Sequence, residues 1–512
     1  MRWLSVLTSI LLLTWQVMSG VFIAGLRPAP DHLTAIATPT PTVSIQQEPI
    51  SIADPGFSVR FHPDGPLYAG DLISIEVIAP PGMDLRDREV AVQLETVIGR
   101  YLSTARFAPY GIAGRLQATL TWVWDTSGLE DRDYNLRFAI EPEGTTWIET
   151  VHLEPAWEVP PPEPHARWAT RESTCCVIHF ITGTASARDI DRLLEVADKV
   201  AQTAMQQMEG EFAETIPITI VPRVLGHGGF AADEIYVSYL DRNYAGNDFS
   251  QVLHHEMIHI LDRRKGGDLR PSILVEGLAV YYSGGHFKKE PLFPRAAALL
   301  QLGWYIPLKS LADSFYTSQH EIGYLEGAAL VQYLINSFGY ARFEAFYRDI
   351  HPPSDEQQST ALDLALQKHF SLSLDQLEKR FLSALYRQHI NPDLYEDLRL
   401  TVAYYDTVRR YQQQMVPSAY FLTAWLPEGK QMRERGIVAD YLRKPADYEN
   451  ITIENLLVEA DRALRFGNYR HAEELLNQIN ATLNREEFIE PLGSPVLAFL
   501  PGRLGEGWAE SR

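Results

Sequence analysis

Cysteine is nearly absent from this chain. Its 512 residues include only two cysteines, Cys175 and Cys176, and these are adjacent. Neighbouring cysteines rarely reach disulfide geometry without backbone strain, so the sequence argues against a disulfide framework. Nothing else in the chain completes a thiolate metal site around them. We therefore predict that both are buried structural residues that pack as small apolar side chains.

Basic charge is also scarce. The chain has 45 Lys and Arg against 66 Asp and Glu, a formal net charge of -21. A protein that binds nucleic acid needs a basic face to neutralise phosphates, so we expect no nucleic-acid partner. Composition is otherwise that of a globular protein, and the length favours two or three domains. The sequence leaves the oligomeric state open.

Charge is absent altogether from a long N-terminal run. No residue from Trp3 to Leu26 is charged, and Arg2 and Arg27 flank the run. A run of this length can cross the ~30 Å hydrocarbon core of a membrane. A cleaved signal peptide usually has a shorter apolar stretch and a small-residue cleavage site. We predict that residues 1–26 form an uncleaved membrane anchor, with a cleaved signal peptide as the alternative.

Either interpretation places the remainder of the chain outside the cytoplasm, because the N-terminal Arg2 favours the cytoplasmic side. The predicted location is therefore the cell membrane, with a single pass and an extracytoplasmic body. Secretion is expected instead if the N-terminal segment is cleaved. The next residues, 27–54, are rich in Pro and Thr and are predicted to be a linker.

Alternation of apolar and polar residues dominates the next part of the chain. In residues 55–157 this period-two pattern, with turn signals between its runs, predicts an antiparallel β-sandwich. The clearest run places five side chains on one face: Leu116, Ala118, Leu120, Trp122 and Trp124.

Prolines at residues 160–164 then mark a boundary, since consecutive prolines exclude helix and sheet interior. Residues 166–395 are predicted to form an α+β domain with a small sheet followed by helices. Residues 396–512 are predicted to be a helical C-terminal region. The predicted fold class is therefore multidomain: an all-β sandwich, an α+β domain and a helical end.

Two histidines in one predicted helix carry the strongest chemical signal. His255 and His259 are four residues apart, so both imidazoles project from one helical face and can share a metal ion. Glu256 points beside such an ion rather than at it, which suits a general base that takes a proton from water. The neighbouring His254 points about 100° away from His255 and is not expected to be a ligand.

A second apolar segment supplies one carboxylate. Glu276 lies within the otherwise hydrophobic residues 271–282. Burying an unpaired carboxylate is costly, so Glu276 needs a charged partner. A Zn²⁺ ion shared with His255 and His259 is such a partner, and it leaves a fourth position open, as a catalytic site requires.

These residues resemble the gluzincin zinc metallopeptidases, which include thermolysin and the aminopeptidase N group. Residues 276–279, Glu-Gly-Leu-Ala, are similar to the third-ligand helix of the bacterial peptidase-MA-like members. Residues 324–334 resemble an aminopeptidase segment whose leading tyrosine hydrogen-bonds the oxyanion, which implies this role for Tyr324. The resemblance spans roughly residues 170–390. It implies a zinc-dependent hydrolase that cleaves peptide or protein substrates, with Glu256 activating zinc-bound water.

The chain also departs from that family in two places. The Gly-x-Met-Glu-Asn motif that holds a substrate's free amine is absent, and residues 228–234 are predicted instead to form an edge strand that binds substrate backbone. Val280 occupies the position of the thermolysin aspartate that orients a ligand histidine. Asp262 is then the candidate for that acceptor.

Two other functions remain compatible with the sequence. One is a catalytically inactive surface binding protein that keeps the gluzincin fold and its metal. The other is a zinc hydrolase of a different acyl or ester substrate, which fold and ligands do not distinguish from a peptidase. Glu256 favours the enzyme, because a purely structural metal site gains nothing from a base beside it. The sequence does not separate cleavage within a chain from cleavage at its end.

Overall fold

The computed structural model describes residues 56–95, 99–142, 144–246 and 248–484. The predicted anchor at residues 1–26 and the linker at 27–54 lie outside these ranges. Within them, no helix is both long enough and apolar enough to cross a membrane. All described residues belong to the same compact unit.

Nine strands in residues 58–154 form two sheets that pack face to face. One sheet has the order β1-β3-β7-β6 and the other β2-β9-β8-β4-β5, and all pairs except β2 with β9 are antiparallel. Alternate side chains of both sheets meet in one apolar cluster, because each strand directs every second residue to the same face. The strands are β1 (Ser58–His62), β2 (Leu67–Tyr68), β3 (Leu72–Ile78), β4 (Glu89–Leu94), β5 (Arg100–Arg106), β6 (Ala108–Tyr110), β7 (Arg115–Asp125), β8 (Asp133–Glu141) and β9 (Thr146–Glu154).

Trp122 does not follow the predicted alternation. Between Leu120 and Trp124, β7 has three residues opposite the single residue Ser74 of β3, and Trp122 has a φ of 50°. Such a bulge turns a side chain out of the regular pattern. Trp122 packs in a different apolar cluster with Tyr441, and its indole N–H donates to Asp440 Oδ2 at 3.3 Å. The prediction that Trp122 shares the inner face was therefore wrong.

A third sheet lies further along the chain and has the order β10-β11-β12-β14-β13. Its three inner strands are parallel, and β10 and β13 are antiparallel edges. Helix α1 (Ala185–Met208) connects β11 to β12 and buries its apolar face in the same cluster as the sheet. The strands are β10 (Trp168–Glu172), β11 (Cys176–Ile181), β12 (Ile216–Val221), β13 (Gly229–Ala231) and β14 (Ile235–Ser238). The edge strand β13 falls within predicted residues 228–234.

Cys175 and Cys176 stand at the start of β11 and are joined to each other by a disulfide bond. The described residues therefore contain no free cysteine, and the prediction of two unlinked cysteines was wrong. Hydrogen bonds hold the backbone around the pair: Asp198 accepts from Cys175 N–H at 2.9 Å, and Ser173 N–H donates to the Cys176 carbonyl at 2.8 Å. These tertiary contacts fix the turn that the disulfide closes.

Helices make up most of the chain after β14. Helix α2 packs against α1, α3 and the edge of the third sheet, which places it beneath β13. The described chain is thus a mixed α/β protein. The helices are α2 (Phe249–Lys265), α3 (Ser272–Ser283), α4 (Leu292–Gln301), α5 (Leu308–Asp313), α6 (His320–Phe338), α7 (Tyr340–Arg348), α8 (Gln358–Phe370), α9 (Leu374–Tyr386), α10 (Pro392–Met415), α11 (Gly429–Arg435), α12 (Ala439–Leu442), α13 (Tyr448–Arg465) and α14 (Tyr469–Leu483).

Two glycines let α3 and α6 approach closely. A Cβ atom on Gly277 would lie 2.4 Å from the backbone oxygen of Gly327, and one on Gly327 would lie 2.8 Å from the backbone oxygen of Ile273. Neither backbone oxygen can give way as a flexible side chain would. The crossing therefore brings Glu276 of α3 and Tyr324 of α6 to the same side of the molecule.

The helices after residue 396 pack onto the earlier ones. Helix α10 contacts α4 and α6, and with α13 and α14 it builds a second apolar cluster. The segment after α10 reaches the pocket described below through Phe421. Division of the chain into separate domains at the proline-rich boundary and near residue 395 stays a prediction.

Candidate metal centre and active site

Helices α2 and α3 bring the three predicted ligands together. Asp248 caps α2 by accepting the backbone N–H of Ser250, which starts the helix in the register that puts both histidines on one face. The Nε2 atoms of His255 and His259 are 2.9 Å apart. Glu276 Oε2 lies 3.1 Å from the first and 3.3 Å from the second.

This triangle matches the donor set of one zinc ion. Ligands at tetrahedral zinc distances lie about 3.3 Å from one another. In the described residues this is the group of His, Cys, Asp and Glu side chains close enough to share an ion. Two imidazoles and a carboxylate are also ligands that zinc takes in catalytic sites.

The protonation of the ligands shows how strongly they interact. Burial lowers the pKa of His255 to about 4, against the opposing effect of the hydrogen bond that Glu276 accepts. At His259 burial is outweighed by the charge of Glu276, which raises the pKa to about 9. The two histidines hold the pKa of Glu276 well below its usual range despite burial. Glu276 therefore presents a carboxylate to both rings.

Tyr316 holds the carboxylate ligand from behind. Its hydroxyl donates to Glu276 Oε1 at 2.6 Å, which leaves Oε2 for the histidine side. Burial and the neighbouring Glu276 raise the pKa of Tyr316, so it stays a donor. Tyr316 was not predicted from the sequence, because a single tyrosine after the short helix α5 has no spacing signal.

Asp262 does not serve as the acceptor for a ligand histidine. Its carboxylate accepts from Arg270 at 3.0 Å and Tyr347 at 2.9 Å and pairs with Arg348 at 2.8 Å. The Nδ1 atom of His259 is buried and has no hydrogen-bond partner in the described part of the chain. The proposed pairing was wrong, since three groups from other segments already surround the Asp262 carboxylate.

Glu256 lies where a base is required. Its side chain is only 6% exposed, and burial, assisted by the charge of Glu276, raises its pKa to about 7. Gly229 of the edge strand lies directly over it: a Cβ atom there would be 2.7 Å from Glu256 Oε1 and 2.3 Å from a methyl of Val252. Glycine is therefore required at this point of the edge strand, a signal that sequence analysis did not use.

Glu256 and Tyr324 line one cavity of about 60 Å³, room for a few water molecules. The Tyr324 ring lies 6.2 Å from that of His255, between centroids. Burial keeps the pKa of Tyr324 well above 10, so its hydroxyl stays protonated. The structure thus places His255, Glu256 and Tyr324 around the same small space. His259 and Glu276 do not line it but contact His255.

The wall of this cavity also includes histidines that the sequence did not predict as site residues. His227 and His320 stack with ring centroids 3.7 Å apart. Arg409 of α10 donates to His320 Nδ1 at 2.9 Å and to His227 Nε2 at 3.3 Å. Burial and the charge of Arg409 lower the pKa of both rings well below 6.5, so both are neutral. The third histidine of this wall is His286.

The edge strand offers backbone groups to a ligand. Backbone bonds from Ser238 to Gly228 and from Ala232 to Glu234 set the ladder, so the N–H and C=O of Gly229 point away from β14. The C=O of Ala231, the next outward-facing residue, accepts from Arg263. A free pair of backbone groups therefore remains at Gly229, directly over Glu256.

His254 lies on the other side of α2. Its Nε2 contacts Gln207 Oε1 at 2.7 Å, and burial lowers its pKa to about 4. It belongs to no group of converging metal ligands in the described residues. It is the natural control for substitutions of His255.

Comparison with known proteins adds little. No protein-family model and no curated protein matches the chain. Among solved structures the chain is similar to an aminopeptidase N family protein from Idiomarina loihiensis, with 10% sequence identity and a TM-score of 0.30. The match covers 66% of this chain and 78% of that chain. A likeness this distant identifies neither fold nor activity, so the functional argument rests on the site itself.

Proposed function

We propose that this protein is a zinc-dependent metallopeptidase of the gluzincin type, with Zn²⁺ held by His255, His259 and Glu276. The observation that carries the proposal is the convergence of three donor atoms within 3.3 Å, with Glu256 buried next to His255 in the lining of one cavity. A binding protein has no use for a carboxylate base at that position.

The metal, when bound, supplies a Lewis acid that polarises a carbonyl and lowers the pKa of water to about 7. Glu256 takes the proton from the attacking water, a task suited to its raised pKa of about 7. The Tyr324 hydroxyl donates a hydrogen bond to the oxyanion of the tetrahedral intermediate. Tyr316 keeps Glu276 oriented throughout.

A peptide substrate is favoured by the edge strand. Gly229 presents a free N–H and C=O directly over Glu256, so an extended substrate that pairs with them would bring its carbonyl to the base. An ester without a flanking peptide backbone would gain nothing from this strand. The exposed Phe230 between the two outward-facing residues adds an apolar surface beside the pairing edge.

The proposal includes a location outside the cytoplasm. It rests on the uncharged run from Trp3 to Leu26, which we propose anchors the chain in the membrane as a single pass. Loss of the anchor by cleavage would release the same catalytic body.

The test is zinc content and hydrolysis of casein peptides by the full-length chain in detergent. We expect one zinc per chain and cleavage that stops when a chelator is added. Glu256→Gln should keep the zinc and lower turnover by about 10²-fold to 10⁴-fold, because only the proton transfer is removed.

Glu326→Gln is the matched control for this substitution. Glu326 is also a fully buried glutamate, but it accepts from Ile306 N–H and lies outside the cavity. This variant should cleave at the wild-type rate. Zinc without cleavage in the wild type would favour the inactive binding protein, and a chain that takes up no zinc would refute the proposal.

A further inference from the structure

His286 belongs to the same cavity as Glu256 but has no part in the mechanism above. It follows α3, and Gln251 of α2 holds its loop by donating to the backbone oxygen of Gly285 at 2.7 Å. Its Nδ1 lies 2.7 Å from Glu321 Oε2. An ionised carboxylate only accepts hydrogen bonds, so Nδ1 carries the proton of this pair.

Glu321 is itself fully buried and held in place. Its other oxygen lies 3.6 Å from Arg295, which also pairs with Glu290 and Asp397. Arg295 supplies the cation that a carboxylate buried in the interior needs nearby. The hydrogen bond between Nδ1 and Glu321 therefore fixes the orientation of the His286 ring.

The other ring nitrogen of His286 is free. Nε2 has no hydrogen-bond partner in the described part of the chain, and it is not one of the polar atoms that are buried completely. His320 is different, although its ring centroid is only 4.6 Å from that of His286. Its Nδ1 accepts a hydrogen bond from Arg409, and its Nε2 is completely buried. Of these two wall histidines, His286 is the one that can exchange a proton with a molecule in the cavity.

We propose that His286, positioned by Glu321, is a further catalytic residue that donates a proton from Nε2 to the departing amine. This inference rests on the proposed peptidase function. It assigns the two proton transfers of hydrolysis to two groups that share one cavity, Glu256 for the water and His286 for the leaving group.

His286, protonated on both nitrogens, gives its Nε2 proton to the amine nitrogen while the C–N bond breaks and its electron pair moves to that nitrogen. The tetrahedral intermediate collapses to a carboxylic acid product. His286 is left neutral with its Nδ1 proton on Glu321, and solvent returns a proton to Nε2. Glu256 releases the proton that it took from water to solvent.

The test compares two substrates with the same acyl part in the zinc-loaded, full-length chain. One is the casein-derived peptide that the wild type cleaves best, and the other is the p-nitrophenyl ester of its acyl portion, whose leaving group needs no proton. For His286→Gln we expect the peptide kcat to fall by about 10²-fold or more and the ester kcat to change by less than about threefold. His254→Gln, the matched control, should change neither.

Two outcomes overturn the proposal: an unchanged peptide kcat in His286→Gln, or equal losses for peptide and ester. Either result leaves the peptidase function standing, provided that the wild type cleaves the peptide. A zinc-loaded wild type that cleaves neither substrate removes the peptidase function and this inference together. The zinc content and thermal unfolding of each variant show whether it folds.

Two further measurements address the pair. Diethyl pyrocarbonate, mapped by mass spectrometry, should modify His286 faster than His320, since only the first has an open Nε2; equal rates would contradict the assignment. Glu321→Gln should show the same selective loss on the peptide, whereas a merely structural role for Glu321 would lower both rates alike. If that variant unfolds, the His286→Gln comparison decides alone.

Discussion

Histidine and glutamate meet at two places around the cavity, with opposite consequences. In the metal centre, Glu276 faces the Nε2 atoms of His255 and His259, so all three donors point at one place. Elsewhere in the cavity lining, Glu321 faces Nδ1 of His286, which leaves Nε2 without a hydrogen-bond partner in the described residues. The ring nitrogen that meets the carboxylate thus separates the proposed metal ligands from the proposed proton donor, although the residue types are the same.

The two carboxylates also differ in the group that contacts their other oxygen, the one that does not face a histidine. Glu276 is backed by the neutral hydroxyl of Tyr316, which leaves its negative charge for a cation. Glu321 lies 3.6 Å from the Arg295 guanidinium, a fixed cation that it shares with Glu290 and Asp397. We therefore expect the first site to bind metal and the second to bind none.

The largest effect should come from exchanging a ligand. His259→Gln removes one of three protein donors, and we expect the variant to lose stoichiometric zinc and all hydrolysis. His286→Gln, the same change elsewhere in the cavity lining, should keep one zinc per chain. Metal analysis after dialysis checks both, and loss of zinc from both variants would erase the distinction between the two sites.

The helix crossing beneath the metal centre should give the next largest effect. In Gly277→Ala the new methyl group would meet the Gly327 backbone oxygen, so α3 and α6 must separate. We expect the free energy of unfolding to fall by about 3 kcal/mol or more, as for severe overpacking. Denaturant unfolding measures this. Ser310→Ala, at an exposed position of the neighbouring helix α5, is the control and should change the free energy of unfolding little. Gly339→Ala would not serve, because the positive φ of Gly339 makes any substitution there strained.

A smaller effect is expected from the hydroxyl behind Glu276. Tyr316→Phe keeps the ring and removes the bond to Oε1, so zinc affinity should fall by about 10-fold to 100-fold. A competition titration with a chelator measures it. Tyr333→Phe, which removes a hydroxyl on α6 away from the cavity, should leave zinc affinity unchanged; equal losses in both variants would contradict the assigned role of Tyr316.

The smallest effect is expected at His254. His254→Gln changes the residue next to a proposed ligand, but its side chain points about 100° away from His255 and contacts Gln207. Zinc content and turnover should match the wild type. A loss of zinc here would indicate that α2 presents a different face to the metal than the structure describes.

Regular elements were predicted most reliably where one periodicity extends over many residues. The helical period over residues 187–209 corresponds to α1, Ala185–Met208, and the predicted strand at 216–221 is β12. Trp122 was misplaced because a bulge interrupts the alternation of β7. The cysteine pair was misjudged because the backbone around it is fixed by Asp198, a residue of another element.

The sequence by itself determined the metal-ligand candidates. The four-residue spacing of His255 and His259 puts both rings on one helical face, and Glu276 is an acid in an apolar segment; both signals are local. Only the tertiary structure decided what stands around them: Tyr316 on Glu276, Glu321 on His286 and Arg409 on His320 are separated by 40, 35 and 89 residues. Side-chain periodicity within one element carries no information about such contacts, because the packing of helices and loops from distant parts of the chain creates them.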